Sequence, residues 1–298
     1  MKMWMIIFAA ALIVVGLIMV VAVLGVNQWD WNCLSTREFE TNSHNITQPF
    51  YDISVNTDTA DITFLPSEDD TCRVVCYEAE KQKHSVRVQN GTLLIDIEDN
   101  RAWYDYIGIS IDSTKISVYL PETVYGSLSV KGSAGGIKIT DSFSFCHMDL
   151  SMSTGKILLE HFSAQSIDAK VSTGEVTIRS VACDETLSLR VTTGDTVLKE
   201  VSCHSLISDG STGDITLSKV IAFDRFKIER TTGDVYLQSS DASEIAITTT
   251  TGDVKGTLQT QKIFYAQTST GRVEVPHCLT GGRCEIKTTT GNIMITVE

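Results

Sequence analysis

Thr231-Thr232-Gly233-Asp234-Val235 is one of nine copies of a small-small-Gly-polar-aliphatic unit. Upstream stand Ser211-Thr212-Gly213-Asp214-Ile215, Thr192-Thr193-Gly194-Asp195-Thr196, Ser172-Thr173-Gly174-Glu175-Val176 and Ser153-Thr154-Gly155-Lys156-Ile157. Downstream follow Thr250-Thr251-Gly252-Asp253-Val254, Ser269-Thr270-Gly271-Arg272-Val273 and Thr289-Thr290-Gly291-Asn292-Ile293. A degenerate first copy is Ser133-Ala134-Gly135-Gly136-Ile137. From Gly135 to Gly291 the glycines are 19 or 20 residues apart, a mean period of 19.5. A fixed period of this length is the signature of a stacked repeat.

Working outward from the glycine, the second and fourth positions after it are aliphatic in most units, as in Val176 with Ile178 or Ile215 with Leu217. A second alternating pair lies seven and five residues before many of the glycines, as in Ile167 with Ala169 or Phe226 with Ile228. Period two marks strands with one buried and one wet face. A unit this short cannot bury a core alone. Stacked in register at roughly 4.8 Å per coil, the units bury continuous aliphatic columns and pair each backbone with its neighbours. The repeat therefore predicts an all-β fold, a parallel β-solenoid (β-helix) on the order of 40 Å long at that spacing. Sandwiches and barrels need antiparallel hairpins, which do not repeat one turn at constant phase.

The regular repeats run over residues 131–298, and residues 50–130 read as irregular N-terminal coils or a cap. In the latter, Ala60-Asp61-Ile62-Thr63-Phe64 is a unit with its glycine replaced, and further alternating runs occur at Val86/Val88, Leu93/Ile95/Ile97, Ile107/Ile109/Ile111 and Ile116/Val118/Leu120. Residues 29–49, rich in Asn, Thr and Ser, read as a linker.

Residues 1–28 read as a transmembrane anchor. Residues 3–26 carry no ionisable side chain, and 24 residues at about 1.5 Å each span a hydrocarbon core of roughly 30 Å. Trp4 at one end, and Trp29 and Trp31 past the other, suit the membrane interface. A cleaved signal peptide is the alternative, but the apolar stretch is long for one and Val21-Ala22-Val23-Leu24-Gly25-Val26 offers no clean small-x-small site. Lys2 on one flank and Asp30, Glu38 and Glu40 on the other predict a single pass with the N-terminus cytoplasmic and the body extracytoplasmic.

Composition bounds the function. A chain of 298 residues with 42% hydrophobic and 20% charged residues is folded, not disordered. A net charge of −13 leaves no basic field for a phosphate backbone and excludes a nucleic-acid binder. Removing the one positive charge of Lys2 leaves the rest of the chain at −14, so the acidity belongs to the body.

The aliphatic strand ending Leu120-Pro121, then Leu128-Ser129-Val130, then the train of S/T-T-G-D-V/I units resemble the bacterial "putative adhesin" β-strand-repeat family of unknown function. The resemblance covers residues 50–298. It implies a right-handed parallel β-helix in a cell-envelope protein associated with adhesion or envelope stress, and it supplies no catalytic residue.

Four sets of residues invite a chemical role. Asp195, Asp214, Asp234 and Asp253 would stack about 5 Å apart as a cation column. Lys156, Glu175, Arg272 and Asn292 at the same phase argue instead for turn-capping polar groups. Among eight cysteines, Cys183 and Cys203 fall in a small buried column, Cys278 in the phase of Val181, Val201 and Val220, and Cys284 in that of Leu187, Phe226 and Ile245. Buried free thiols are expected, with Cys278–Cys284 the pair to bridge if any does. Cys72 and Cys76, about 13 Å apart on one strand, cannot pair with each other. Cys146-His147, Cys203-His204 and His277-Cys278 put their side chains on opposite faces and make poor zinc sites, so no metal or cofactor is expected. Trp103, Tyr104 and Tyr106 form an aromatic cluster in an irregular insertion, a possible recognition tip against the alternative of packing over a cap coil.

Coil steps of 19 or 20 leave no spare residues for cleft walls, and there is no Ser-His-Asp, His-Glu-x-x-His or phosphate-loop pattern. The expectation is a non-catalytic scaffold for adhesion or protein interaction, with the membrane and an unidentified envelope protein or glycan as partners. The alternatives are an envelope-stress sensor acting through membrane partners and, last, a carbohydrate-active β-helix enzyme.

Overall fold

The computed structural model describes residues 2–26, 28–29, 38–101, 112–140 and 143–298. The helix Lys2–Val26 is followed by strands that join into one continuous sheet. Trp4–Val26 has a mean hydropathy of 3.2, is long enough to cross a membrane, and exposes its side chains apart from Leu24.

Each regular coil pairs in parallel register with the next. Ile167 lies between Met148 and Leu187, and Ile178 between Leu159 and Leu198. Such columns bury Leu150, Leu189, Phe226, Ile228, Val235 and Leu237 almost completely. The expected solenoid is therefore present.

Three corners close a coil. At the first, the glycines from Gly135 to Gly291 hold φ between +117° and +155°, a region that side chains avoid. Stacking adds a second reason for glycine: a Cβ on Gly174 would overlap the Gly155 carbonyl of the coil below. At the second corner, His161, Ser180, Glu200, Lys219 and Ser239, each six residues after its glycine, take φ of 48° to 58°. No glycine advertises this corner. The third absorbs the alternation between 19 and 20 residues: pairing slips between Cys183 and Thr186, where Asp184 and Glu185 face the single His204.

Chain order and stacking order part company at both ends. The strands Asp52–Asn56 and Asp61–Pro66 form the coil beneath Val124–Ile139, with Ile53 beside Leu128 and Ile62 beside Ile137. Ala60 there stands where other coils have glycine, as the sequence indicates. Yet the next layer out is made of later residues, Thr92–Asp99 and Lys115–Leu120. At the other end, Gly282–Thr290 and Ile293–Val297 lie directly on the coil of Gly252, and the earlier Lys262–Thr270 and Val273–Glu274 lie outside them. Each end of the solenoid chain is thus tucked one layer in.

One boundary differs from the sequence expectation. Residues 39–46, read as linker, form the strand Phe39–Ile46, antiparallel to Cys72–Ala79. Its Asn, Ser and Thr residues tolerate this because only one face is half-covered, so a polar strand can close a sheet edge. Within residues 50–130, Cys72–Ala79 runs antiparallel to Lys115–Leu120, and Gln82–Gln89 antiparallel to Thr92–Asp99. The chain doubles back to cap the N-terminal end of the solenoid. The run Ile107/Ile109/Ile111 lies outside the described residues.

One departure from apolar columns is a single coordinated feature. Arg230 is 5% exposed and points inward. Its Nη2 donates to Ser208 Oγ at 2.9 Å and Thr196 Oγ1 at 3.3 Å, and Nη1 donates to the Glu229 carbonyl at 3.1 Å. Ser208 replaces the Leu189 of the preceding coil, Thr196 the Val176, and Gly210, opposite Arg230, leaves room for the guanidinium. Burial lowers the Arg230 pKa, with the Asp209 charge acting the other way.

Candidate functional site

The aspartate column assembles as stacking requires, and its carboxylates have a job. Asp195 Oδ1 accepts the backbone N–H of Asp214 at 2.9 Å, Asp214 Oδ1 that of Asp234 at 2.7 Å, and Asp234 Oδ1 that of Asp253 at 2.7 Å. The ladder continues in spatial order, from Asp253 to Asn292 at 2.6 Å and from Asn292 Oδ1 to Arg272 at 3.0 Å. Each group caps the next coil, not its own turn. The second oxygens are partly engaged: Tyr236 donates to Asp234 Oδ2, and Lys255 Nζ lies 2.5 Å from Asp253 Oδ2. The Asn292 backbone bond, then Lys255, hold the Asp253 carboxyl below its ordinary pKa. The column therefore has a complete structural reason to exist without a cation.

A second cluster was not foreseen. Cys76, Glu78 and His84 are buried with potential ligand atoms within 4.8 Å of one another, the one such set of three among the described residues. His84 Nδ1 and its backbone N–H both lie 2.7 Å from Glu78 Oε2, and Asn42 Nδ2 donates to Glu78 Oε1 at 2.9 Å. His84 Nε2 meets Thr57 Oγ1 at 2.9 Å. Burial raises the Glu78 pKa, but the His84 and Asn42 hydrogen bonds outweigh it and leave the carboxyl below its usual range. Burial also pushes the Cys76 thiol up to about 12. Thr57, His84 and Glu78 thus form a hydroxyl–imidazole–carboxylate chain, but Thr57 is only 5% exposed. Every ring nitrogen and carboxylate oxygen in it has a partner. The arrangement ties the strands of residues 39–46, 72–79 and 82–89 to the first coil, and no atom of it is set to meet a substrate. Alternation along Cys72–Ala79 puts Cys76 and Glu78 on one face; His84 joins them only through the reversal at residues 80–81.

Cys278 and Cys284 are both free, Cys284 buried and Cys278 half-exposed. No strand lies between Glu274 and Gly282, the stretch that carries the chain from the outer layer to the one beneath it, although Val275 still packs against the core. Cys183 and Cys203 are register partners in adjacent coils, buried and free, with pKa values pushed by burial to about 11 and 12. Cys284 occupies the expected column between Ile245 and Phe264. Cys72 is likewise free and buried. Among the His/Cys pairs, Cys203 is buried while His204 stacks outside on Phe223 at 5.5 Å, and His147 bonds Ser166. Trp103, Tyr104 and Tyr106, like Cys33, lie outside the described residues.

A groove of about 730 Å³ opens where the cap meets the first coils, between Phe50, Arg73, Asp69 and Tyr125. Phe50 stacks on Tyr125 with centroids 6.0 Å apart, and the Tyr125 hydroxyl donates to the Pro121 carbonyl. The distal end is different in kind. The outermost strand, Lys262–Thr270, pairs with Gly282–Thr290 on one side and with no strand of the described residues on the other. Its column residues Phe264 and Ala266 are only partly buried, and Val273 is 40% exposed, whereas Phe226, Ile228 and Val235 at the same phases are fully buried.

Several solved structures match the chain at low identity. A Bacteroides fragilis protein described as a putative adhesin is 16% identical with a TM-score of 0.49, over 88% of this chain and 99% of that one. A putative adhesin from Parabacteroides merdae is 11% identical with a TM-score of 0.44, over 74% and 97%. A putative lipid-binding protein from Parabacteroides distasonis is 15% identical with a TM-score of 0.32, over 74% and 98%. No curated protein matches the chain. The Toastrack DUF4097 family matches residues 50–207 and 203–298, which together span most of the solenoid, and the chain belongs to that family.

Proposed function

We propose that this protein is a membrane-anchored, non-catalytic binding scaffold whose solenoid stands on the extracytoplasmic side of the cell envelope. The observation that carries the reading is the pairing of a largely exposed apolar helix, Trp4–Val26, with a rod whose polar columns are used up in holding coils together. The flanking charges favour a cytoplasmic N-terminus. The partner is an envelope protein or glycan, met by the acidic flanks or the ends of the rod.

Cell fractionation tests the placement. The full chain stays in the membrane pellet through an alkaline carbonate wash, and external protease removes the body without lysis. Release into the wash, or a body protected until lysis, overturns the placement. Deletion tests the role: cells lacking the protein lose attachment to envelope material, and unchanged attachment overturns the adhesive reading.

A further inference from the structure

The two ends of the solenoid are finished differently. The N-terminal end is closed by antiparallel strands, and Cys72, Val74 and Cys76 beneath them are at most 4% exposed. The distal end has no such cover among the described residues. Its outer strand offers a row of unpaired backbone N–H and C=O groups, and the apolar columns run out at Phe264, Ala266, Val273 and Val275. Repeat proteins need polar end caps for solubility, and natural sheet edges are guarded by charge, lysine above all.

This edge carries no such guard. Ile263 to Gly271 is nine residues, Ile-Phe-Tyr-Ala-Gln-Thr-Ser-Thr-Gly, without an ionised side chain. The stretches at the same phase inside the rod each carry charge, from Glu244 alone in one coil to Arg225, Lys227, Glu229 and Arg230 in another. The charges of the outer coil, Lys262, Arg272 and Glu274, flank this stretch and none falls on it.

We propose that the distal coil is a self-association surface, at which Lys262–Thr270 pairs antiparallel with the same strand of a second copy about a two-fold axis. Self-pairing brings no like charges together along the uncharged stretch, and it continues the sheet of each rod into the other. The two-fold axis covers both distal edges at once, so the contact is closed and isologous. Where the anchored placement above holds, such a joint links rods from facing membranes; the pairing itself does not depend on that placement.

The test uses the full chain in detergent, with mass measured by light scattering during size exclusion. Wild type is expected at twice the chain mass. Gln267→Lys with Ser269→Lys, two exposed positions on the outer strand, puts like charges across the axis. Those charges weaken the dimer roughly tenfold or more while leaving the melting temperature unchanged. A wild-type monomer at tens of micromolar overturns the proposal. So does a dimer that survives both lysines, because the contact then lies elsewhere, the apolar helix included. Carbonate extraction and protease access are read separately, so failure of the joint leaves the anchored reading standing.

Discussion

Asp214 and Asp234 are joined across neighbouring coils by one bond, the Asp234 backbone N–H donating to Asp214 Oδ1 at 2.7 Å. The repeat's aspartate is thus an inter-coil clamp. Asp214→Ala strands that donor and costs about 1.5–3 kcal/mol, the range for a hydrogen bond to a charged group, while Asp214→Asn keeps an acceptor and costs less. Urea unfolding of the variants measures both. Calcium raises the melting temperature of neither wild type nor variants.

The ladder also sets an acid limit. The Asp253 carboxyl is held below its ordinary 3.8 by the Asn292 backbone bond and by Lys255. A depressed folded-state pKa means that its stabilisation is full above the unfolded value and is lost as pH falls through the folded one. Stability therefore declines below about pH 4. Asp253→Asn flattens that acid limb, which thermal melts between pH 2 and 6 at constant ionic strength resolve.

The two kinds of positive-φ corner respond oppositely to substitution. Gly194→Ala forces a side chain onto φ +131° and against the Gly174 carbonyl, and is expected to cost more than about 3 kcal/mol. His161→Gly relieves a left-handed non-glycine residue and is neutral or stabilising by up to about 1 kcal/mol. Equilibrium unfolding decides the sign of each.

Arg230 is a buried cation bonded to neutral groups. Arg230→Met removes the charge but orphans two hydroxyls, for a loss of about 1–3 kcal/mol. Adding Thr196→Val and Ser208→Ala recovers most of it, because an apolar replacement of a whole polar cluster is often neutral or better. If the triple variant is less stable than the single one, the cluster holds the coils together by more than mutual satisfaction.

Thiol reactivity follows burial. Iodoacetamide at pH 8 is expected to modify Cys146 and Cys278 in the native protein and to spare Cys76, Cys203 and Cys284, whose thiols burial holds near 12. Peptide mapping by mass spectrometry reads each site. Labelling of Cys203 without denaturant is the contrary result.

The sequence displays the solenoid because glycine, threonine and aspartate recur in phase with the aliphatic columns; Ile178, Leu198 and Leu217 stack as their spacing implies. It hides the order of the last coils for the same reason. The units at Gly252, Gly271 and Gly291 are near-equivalent, and any of them could lie on any other by local pattern alone. Cys278, seven residues after Gly271, is half-exposed where Val181, Val201 and Val220 are buried, and its coil is the outermost one. The left-handed corner is concealed by His161, Ser180, Glu200, Lys219 and Ser239, which share no chemistry. The meeting of Glu78 with His84 depends on a chain reversal, and Asn42 reaches them from a segment whose composition reads as linker.

The tucked coil at the distal end constrains the order in which the molecule can be built. Lys262–Thr270 finds its strand neighbour in Gly282–Thr290, and Val273–Glu274 finds its own in Ile293–Val297. A chain emerging N-terminus first therefore cannot seat residues 262–274 in their final place when they arrive. They must wait, or sit provisionally on the coil of Gly252 and be displaced, until residues 282–297 have been delivered. Completion of the rod is thereby coupled to delivery of that last repeat, and a chain arrested before it is left with its distal layer in the wrong slot.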